Sequence, residues 1–183
     1  AIPSAREAQA YFERRMDAFV ASRGRRMIGW TEAMAAEPPD DGSAPSLSPG
    51  FTTMHWKALD PAPVALFERD VIYSPVFAYY LDWYKTTTLE QVYAYDPVPE
   101  GMSPADSERL LGAQANMWTG FTQNRSVERV DVHVYPKLLA IADRIWGPTD
   151  RRDWREFSRR LTAHGERLER LGVTVGTCHG CVL

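Results

Sequence analysis

Four aromatic residues, Trp30, Trp56, Tyr80 and Trp118, fall at or just past the carboxyl ends of four short apolar runs, and polar residues stand close to them in sequence: Glu32, Asp82 and Asn116. In α/β folds the carboxyl end of a strand is where ligands bind. Aromatic rings gathered there make flat apolar walls, against which the C–H faces of a pyranose stack, while carboxylates and amides orient its hydroxyls. For any one Trp taken alone, core packing is the more ordinary explanation, since large aromatics are mostly buried. Four at equivalent positions in successive units argue for the mouth of a binding site.

The elements that must hold these residues follow from periodicity. Ser4-Ala5-Arg6-Glu7 has capping-box spacing, and Tyr11, Phe12, Met16, Phe19 and Val20 recur at helical intervals up to Gly24, which predicts an amphipathic helix with those residues on its apolar side. Arg26 to Trp30 reads as a first strand. Ala35 to Gly50 is rich in Pro, Asp, Ser and Gly and is long for a connection within a compact domain. Phe51 to Trp56, β-branched and aromatic, is a second strand. Ala62 to Arg69 is a short helical crossover and Asp70 to Pro75 a third strand.

Leu89 to Tyr95 can make a turn or two of helix, and Pro97, Pro99, Gly101 and Pro104 mark irregular chain before Arg109 to Trp118, the fourth strand. Helix signals resume at Ser126, are interrupted at Pro136, which starts or kinks a second segment, and run to Trp146. A last helix spans Asp150 to Leu171, with Trp154, Phe157, Leu161, Leu168 and Leu171 on one side and Gly172 as its stop. Strands alternating with helices predict an α/β fold with parallel strands and crossovers. Four such units are half of a (β/α)8 TIM barrel, which in full takes about 250 residues. Unless the strands form an open doubly wound sheet, another half must come from a second chain or a second copy.

The bulk numbers narrow the partners. At 183 residues, 44% apolar and 25% charged, the chain has the composition of an ordinary globular protein, and a net charge of −3 offers no basic field for nucleic acid or an anionic membrane. No apolar run approaches 18 residues and no signal-peptide pattern is present. Cys178 and Cys181 sit together, so no disulfide staples distant segments; with His179 they fall short of a four-ligand zinc site. No metal and no cofactor is expected, and residues 174–183 read as a flexible tail. His55 alternates away from a pocket that Trp56 faces, and His133 and His164 read as helix-surface residues.

The strings IGWTEAM, TTMHWK, DVIYSPVFAYYLDWY and LGAQANMWT, followed by VYPKLLAIADRIWGP and RRDWREFSRRL, resemble in order and spacing the C-terminal half of the catalytic barrel of glycoside hydrolase family 20, the β-N-acetylhexosaminidases. The resemblance covers nearly everything from Ala8 to about Val173 and implies a single half-barrel domain over residues 1–173. It implies that Trp30, Trp56 and Trp118 wall the pocket for a terminal N-acetylhexosamine, that Asp82 binds a sugar hydroxyl, and that Tyr80 takes part in catalysis by hydrogen-bonding the substrate acetamide oxygen. The implied reaction is retaining and substrate-assisted: the acetamide oxygen attacks the anomeric carbon and water opens the resulting oxazolinium.

Two departures stand out. The Asp-Glu pair that serves the family as acetamide-orienting residue and general acid/base is absent, since no Asp-Glu dipeptide occurs anywhere in the chain. The sequence starts at the helix that follows the strand carrying that pair, so the isolated chain is expected to be inactive, with an N-terminal half or second chain completing the barrel. Gly120 stands where the family has a Glu that grips a sugar hydroxyl; losing such a bond typically costs about 1.5–3 kcal/mol, and Gln123 or Asn124 could substitute. Thr31 and Lys137 are milder departures. The alternative is a non-catalytic carbohydrate-binding or structural remnant. The resemblance implies an extracellular, periplasmic or lysosomal setting, which nothing in the chain itself specifies.

Overall fold

The computed structural model describes residues 4–35, 47–57, 69–82, 88–98, 101–118, 120, 126–148 and 152–176. Most of the polar 35–50 connection, the 62–69 crossover apart from Arg69, Gln123, Asn124 and the Cys178–Cys181 tail lie outside the described residues. Twelve elements occur among them, in the order α1 (Ala5–Ser22), β1 (Ile28–Trp30), α2 (Thr31–Ala35), β2 (Thr52–His55), β3 (Val71–Tyr73), α3 (Val76–Tyr79), α4 (Leu89–Ala94), α5 (Pro104–Ser107), β4 (Leu110–Ala113), α6 (Val127–Val134), α7 (Lys137–Trp146) and α8 (Trp154–Arg170).

The chain divides into two compact units, residues 1–73 with 98–112, and residues 74–97 with 113–183. The first is built on the sheet, whose strands lie side by side in the order β1-β2-β3-β4. The β1–β2 and β2–β3 pairings are parallel, with Gly29 opposite Thr53 and Met54 opposite Ile72. At the fourth strand the Val71 amide donates to the Arg109 carbonyl at 2.8 Å. Sequential order without reversal is barrel-like and lacks the switch point that an open doubly wound sheet requires. The inner strands carry Thr52, Thr53, His55, Val71 and Tyr73, all buried, whereas the outer strands leave Ile28 and Leu111 exposed.

Local signals account for the helix ends. The Ser4 hydroxyl caps α1 by accepting from the Glu7 amide at 3.2 Å. Gly24 and Gly172, with φ of 67° and 79°, end α1 and α8 in the left-handed conformation that a side chain would resist. In both, the glycine amide and the next one return to carbonyls of the last turn: Gly24 to Ala21 and Arg25 to Val20, Gly172 to Glu169 and Val173 to Leu168. Pro136 does start a new segment, as the residue that caps α7.

The face that α1 turns inward is not the aromatic one. Ala10 and Asp17 are buried, while Tyr11, Phe12 and Phe19 are exposed. Asp17 accepts from the Ser48 amide at 2.6 Å and its hydroxyl at 3.0 Å, so a polar contact with chain 31 residues away sets the rotation of the helix. Arg15 and Arg23 lie over the Tyr11 and Phe19 rings, at 5.7 and 4.9 Å from the centroids. Arg69 donates to the carbonyls of Leu47 and Ser48, which holds the same return point. Beside it, Ala33, Met34, Leu47 and Phe51 form the apolar core of the first unit.

The second unit packs α3, α4, α7 and α8 around Tyr79, Val92, Tyr93, Ile141, Phe157 and Leu161. Tyr93 stacks on Phe157 with centroids 4.4 Å apart. Arg160 of α8 grips Asp143 of α7 with two bonds, 2.6 and 3.1 Å long, and Glu156 through its Nε, so its guanidinium stays firmly protonated. Phe157, Leu161 and Leu168 face inward as their spacing predicts. Leu171, expected with them, is exposed because it lies past the last helical residue, at the cap.

Gly29 marks the closest approach in the first unit. A Cβ there would meet the Phe51 ring at 2.8 Å, and Phe51 is itself fully buried. The ring has little freedom to withdraw, so Gly29→Ala is expected to lower stability by about 1–3 kcal/mol, the usual range for overpacking. A urea titration of the variant and the parent chain checks this; equal midpoints would contradict the contact.

Candidate functional site

The strand ends of the first unit carry two aromatic candidates, each held by its surroundings in a different way. Trp30 is the last residue of β1 and leads directly into α2. The Thr31 hydroxyl lies 3.0 Å from the Met54 carbonyl and 3.0 Å from His55 Nδ1. A hydroxyl has one proton and a carbonyl can only accept. Thr31 therefore donates to Met54 and accepts from His55, which fixes the proton on Nδ1. His55 is buried and stacks on Tyr73, centroids 5.9 Å apart and planes within 9°. It packs in the sheet against Tyr73.

Trp56 follows the last residue of β2, and its indole Nε1–H donates to both carboxylate oxygens of Glu32, at 3.0 and 3.2 Å. The Lys57 ammonium sits 3.2 Å from Glu32 Oε1 and 5.7 Å from the Trp56 ring centroid. Burial pushes the Glu32 pKa up, but hydrogen bonds from its own backbone amide, Lys57 and Trp56, with the Lys57 charge, outweigh this and leave it below the usual carboxylate value. Glu32, whose position in the sequence suggested a grip on a ligand hydroxyl, is thus engaged by Trp56 and Lys57.

In the second unit a pair of extended segments is clipped together where Tyr80 meets Asn116 in an isolated parallel bridge. The Leu81 amide donates to the Asn116 carbonyl at 2.8 Å and the Asn116 amide to the Tyr79 carbonyl at 2.9 Å. Side chains close a second ring around it. Asn116 Nδ2 donates to the Ser74 hydroxyl, Ser74 donates to the Gln114 carbonyl at 2.8 Å, and Gln114 Nε2 donates to Asn116 Oδ1 at 2.7 Å. Asn116, a candidate for orienting sugar hydroxyls in the sequence, is buried and bonded on both ends of its amide. It positions its neighbours.

Those neighbours are Tyr80, Asp82 and Trp118. The Tyr80 and Trp118 rings lie 6.5 Å apart with planes tilted by 32°. Asp82 is only 7% exposed, and its Oδ1 accepts no hydrogen bond among the described residues. A buried carboxylate oxygen without a donor is costly unless something supplies one. Gly120 follows two residues after Trp118, and a Cβ added to it would meet nothing within 4 Å among the described residues.

Sequence reasoning named the aromatic residues and Asp82 but missed the residues that hold them: Ser74, Gln114, Lys57 and the hydroxyl of Thr31. One signal was present. Gln114 and Asn116 are two apart on an extended segment and so share a face, which lets their side-chain amides bond each other. Among the described residues no group of three His, Cys, Asp or Glu could hold a metal ion, and no helix is long and apolar enough to cross a membrane.

Comparison with known proteins completes the picture. Residues 2–149 match the family model of the glycosyl hydrolase family 20 catalytic domain. The chain is 35% identical over 182 residues to a beta-hexosaminidase of Porphyromonas gingivalis, covering 91% of this chain and 22% of that protein. It is 29% identical to a beta-N-acetylhexosaminidase of Cellulomonas fimi, covering 84% of this chain and 32% of the relative. The chain therefore spans between a fifth and a third of the length of these relatives. Among solved structures, the family 20 exo-beta-N-acetylglucosaminidase of Vibrio harveyi, crystallised with N-acetylglucosamine, superposes with a TM-score of 0.77 at 26% identity, over 96% of this chain and 28% of that one. The enzyme of Streptomyces coelicolor shares the fold, at 22% identity and a TM-score of 0.75. With four sequential strands and their helices forming part of the same α/β barrel, the chain belongs to glycosyl hydrolase family 20.

Proposed function

We propose that this chain supplies the aromatic sugar-binding part of a retaining, substrate-assisted β-N-acetylhexosaminidase that removes terminal N-acetylhexosamine from glycans. The observation that carries the reading is Asp82: a buried carboxylate whose Oδ1 lacks a donor among the described residues, next in sequence to the segment where Tyr80 and Trp118 stand as tilted walls. A sugar hydroxyl is the kind of donor that such an oxygen accepts. Family membership and the names of the relatives, hexosaminidases of bacteria and of pig, agree with that class of substrate.

In this reading Trp30, Trp56 and Trp118 stack on the sugar, Asp82 holds a hydroxyl, and Tyr80 donates to the acetamide oxygen as that oxygen attacks the anomeric carbon. A donor aimed at the acetamide keeps it in the attacking geometry, which is where positioning lowers a barrier most. Proton transfer to the leaving group needs a general acid. Since no Asp-Glu pair occurs in these 183 residues, that acid comes from another segment or chain, which also completes the barrel over the outer strands β1 and β4. Residues 1–173 form the half-barrel and 174–183 its tail.

Gly120 and the missing pair favour a second reading, a sugar-binding module without hydrolysis. The two separate in one assay. The chain alone is expected to leave an aryl N-acetylglucosaminide intact and to gain turnover when the acid-bearing segment is added; turnover by the purified chain alone would contradict the missing-acid argument.

Binding is tested more directly by titrating the chain with N-acetylglucosamine while following Trp emission. A saturable change is expected, and Asp82→Ala should weaken Kd by roughly 10- to 100-fold, the equivalent of one hydrogen bond to a charged group. No change in emission would leave a structural role only. Gly120, where a Cβ would meet none of the described residues within 4 Å, adds a gain-of-function test: Gly120→Glu should tighten Kd by up to about 10-fold. Unchanged affinity would mean that position 120 lies away from the sugar.

A further inference from the structure

We infer that Glu32 is a positioning residue for sugar binding: its carboxylate fixes the plane of the Trp56 indole, so that the ring is presented to the ligand in one orientation. The inference rests on the reading of Trp56 as a wall of an N-acetylhexosamine pocket and extends it to a residue that meets no sugar.

Trp56 follows the last residue of β2, so the plane of its ring is not set by the pleat of the strand alone. An aromatic wall is useful only when its plane is fixed, because a ring that swings must be ordered again when the ligand binds, and that ordering opposes affinity. The indole has a single polar handle, the Nε1–H. Glu32 takes it with both oxygens, at 3.0 and 3.2 Å. Rotation about either side-chain bond of Trp56 would carry the N–H away from the carboxylate.

Glu32 is in turn anchored from three directions. It lies in the first turn of α2, where its own backbone amide is among its hydrogen-bond donors. Lys57, the residue after Trp56, pairs with Oε1 at 3.2 Å. Beneath it, the bond from the Thr31 hydroxyl to the Met54 carbonyl ties the start of α2 to β2, so the carboxylate and the indole are mounted on elements fixed to each other. Both oxygens of the Glu32 carboxylate are engaged by protein donors, the indole and the ammonium, with no sugar present. This is the feature that separates a positioning role from direct binding.

The test uses the 183-residue chain labelled with 15N. The Trp56 indole signal is assigned by its loss in Trp56→Phe, then followed in Glu32→Ala and Glu32→Gln without sugar, and N-acetylglucosamine Kd is measured for each. In Glu32→Ala the indole proton should move upfield in the ligand-free protein and Kd should weaken by about 10-fold. Glu32→Gln keeps an acceptor of the same shape, so its signal should move less and binding should weaken by no more than about 3-fold. Should Glu32→Ala fail to fold, Glu32→Gln decides: a shifted signal with weaker binding supports the inference, and an unmoved signal overturns it. Equal affinity of Glu32→Ala and the parent chain overturns the inference alone. A parent chain that shows no response to sugar overturns the pocket reading and the inference with it.

Discussion

Parallel pairing is the constraint from which the rest follows. When β1, β2 and β3 run in the same direction, their carboxyl ends emerge along one edge of the sheet, and whatever residue ends each strand is delivered there. Trp30 and Trp56 reach their positions by this rule alone. In the second unit the same direction of pairing recurs in a single bridge, between Tyr80 and Asn116, and places Asp82 and Trp118 a few residues past it. Each repetition asks the intervening chain for only a crossover of suitable length.

Delivery is not orientation. Past the strand ends a side chain needs other contacts to fix it, and each unit has a small polar network close to its strand ends. Thr31, Met54 and His55 share one proton-ordered cluster, and Ser74, Gln114 and Asn116 close a ring in which each residue bonds the other two. Fully bonded networks of this kind specify one arrangement, because leaving any member unpaired in a buried place would cost more than the bond contributes.

The strands and their order were legible because β-branched and aromatic runs such as Phe51 to Trp56 signal themselves, and the stops at Gly24 and Gly172 were legible because only glycine adopts the required backbone cheaply. The rotation of α1 was not. Periodicity put Tyr11, Phe12 and Phe19 inward, but Asp17 has a partner in Ser48, and a bond to distant chain leaves no trace in a local pattern. The same gap explains Glu32 and Asn116: a polar residue at a strand end reads as ligand-facing until the side chain it actually meets is known. The short helix α5 was missed although Ser103 and Pro104 form a start signal, because the prolines around it read as irregular chain.

The outer strands of the sheet bear on how the chain behaves as a colloid. Ile28 on β1 and Leu111 on β4 are exposed on strands that end the order of the sheet. A strand in that place offers a row of amide and carbonyl groups with an apolar side chain beside it, which is a template for adding another strand. At high protein concentration such edges are sites where two copies of the chain would pair. The solubility of the chain is thus set by two strand edges as well as by its modest net charge of −3.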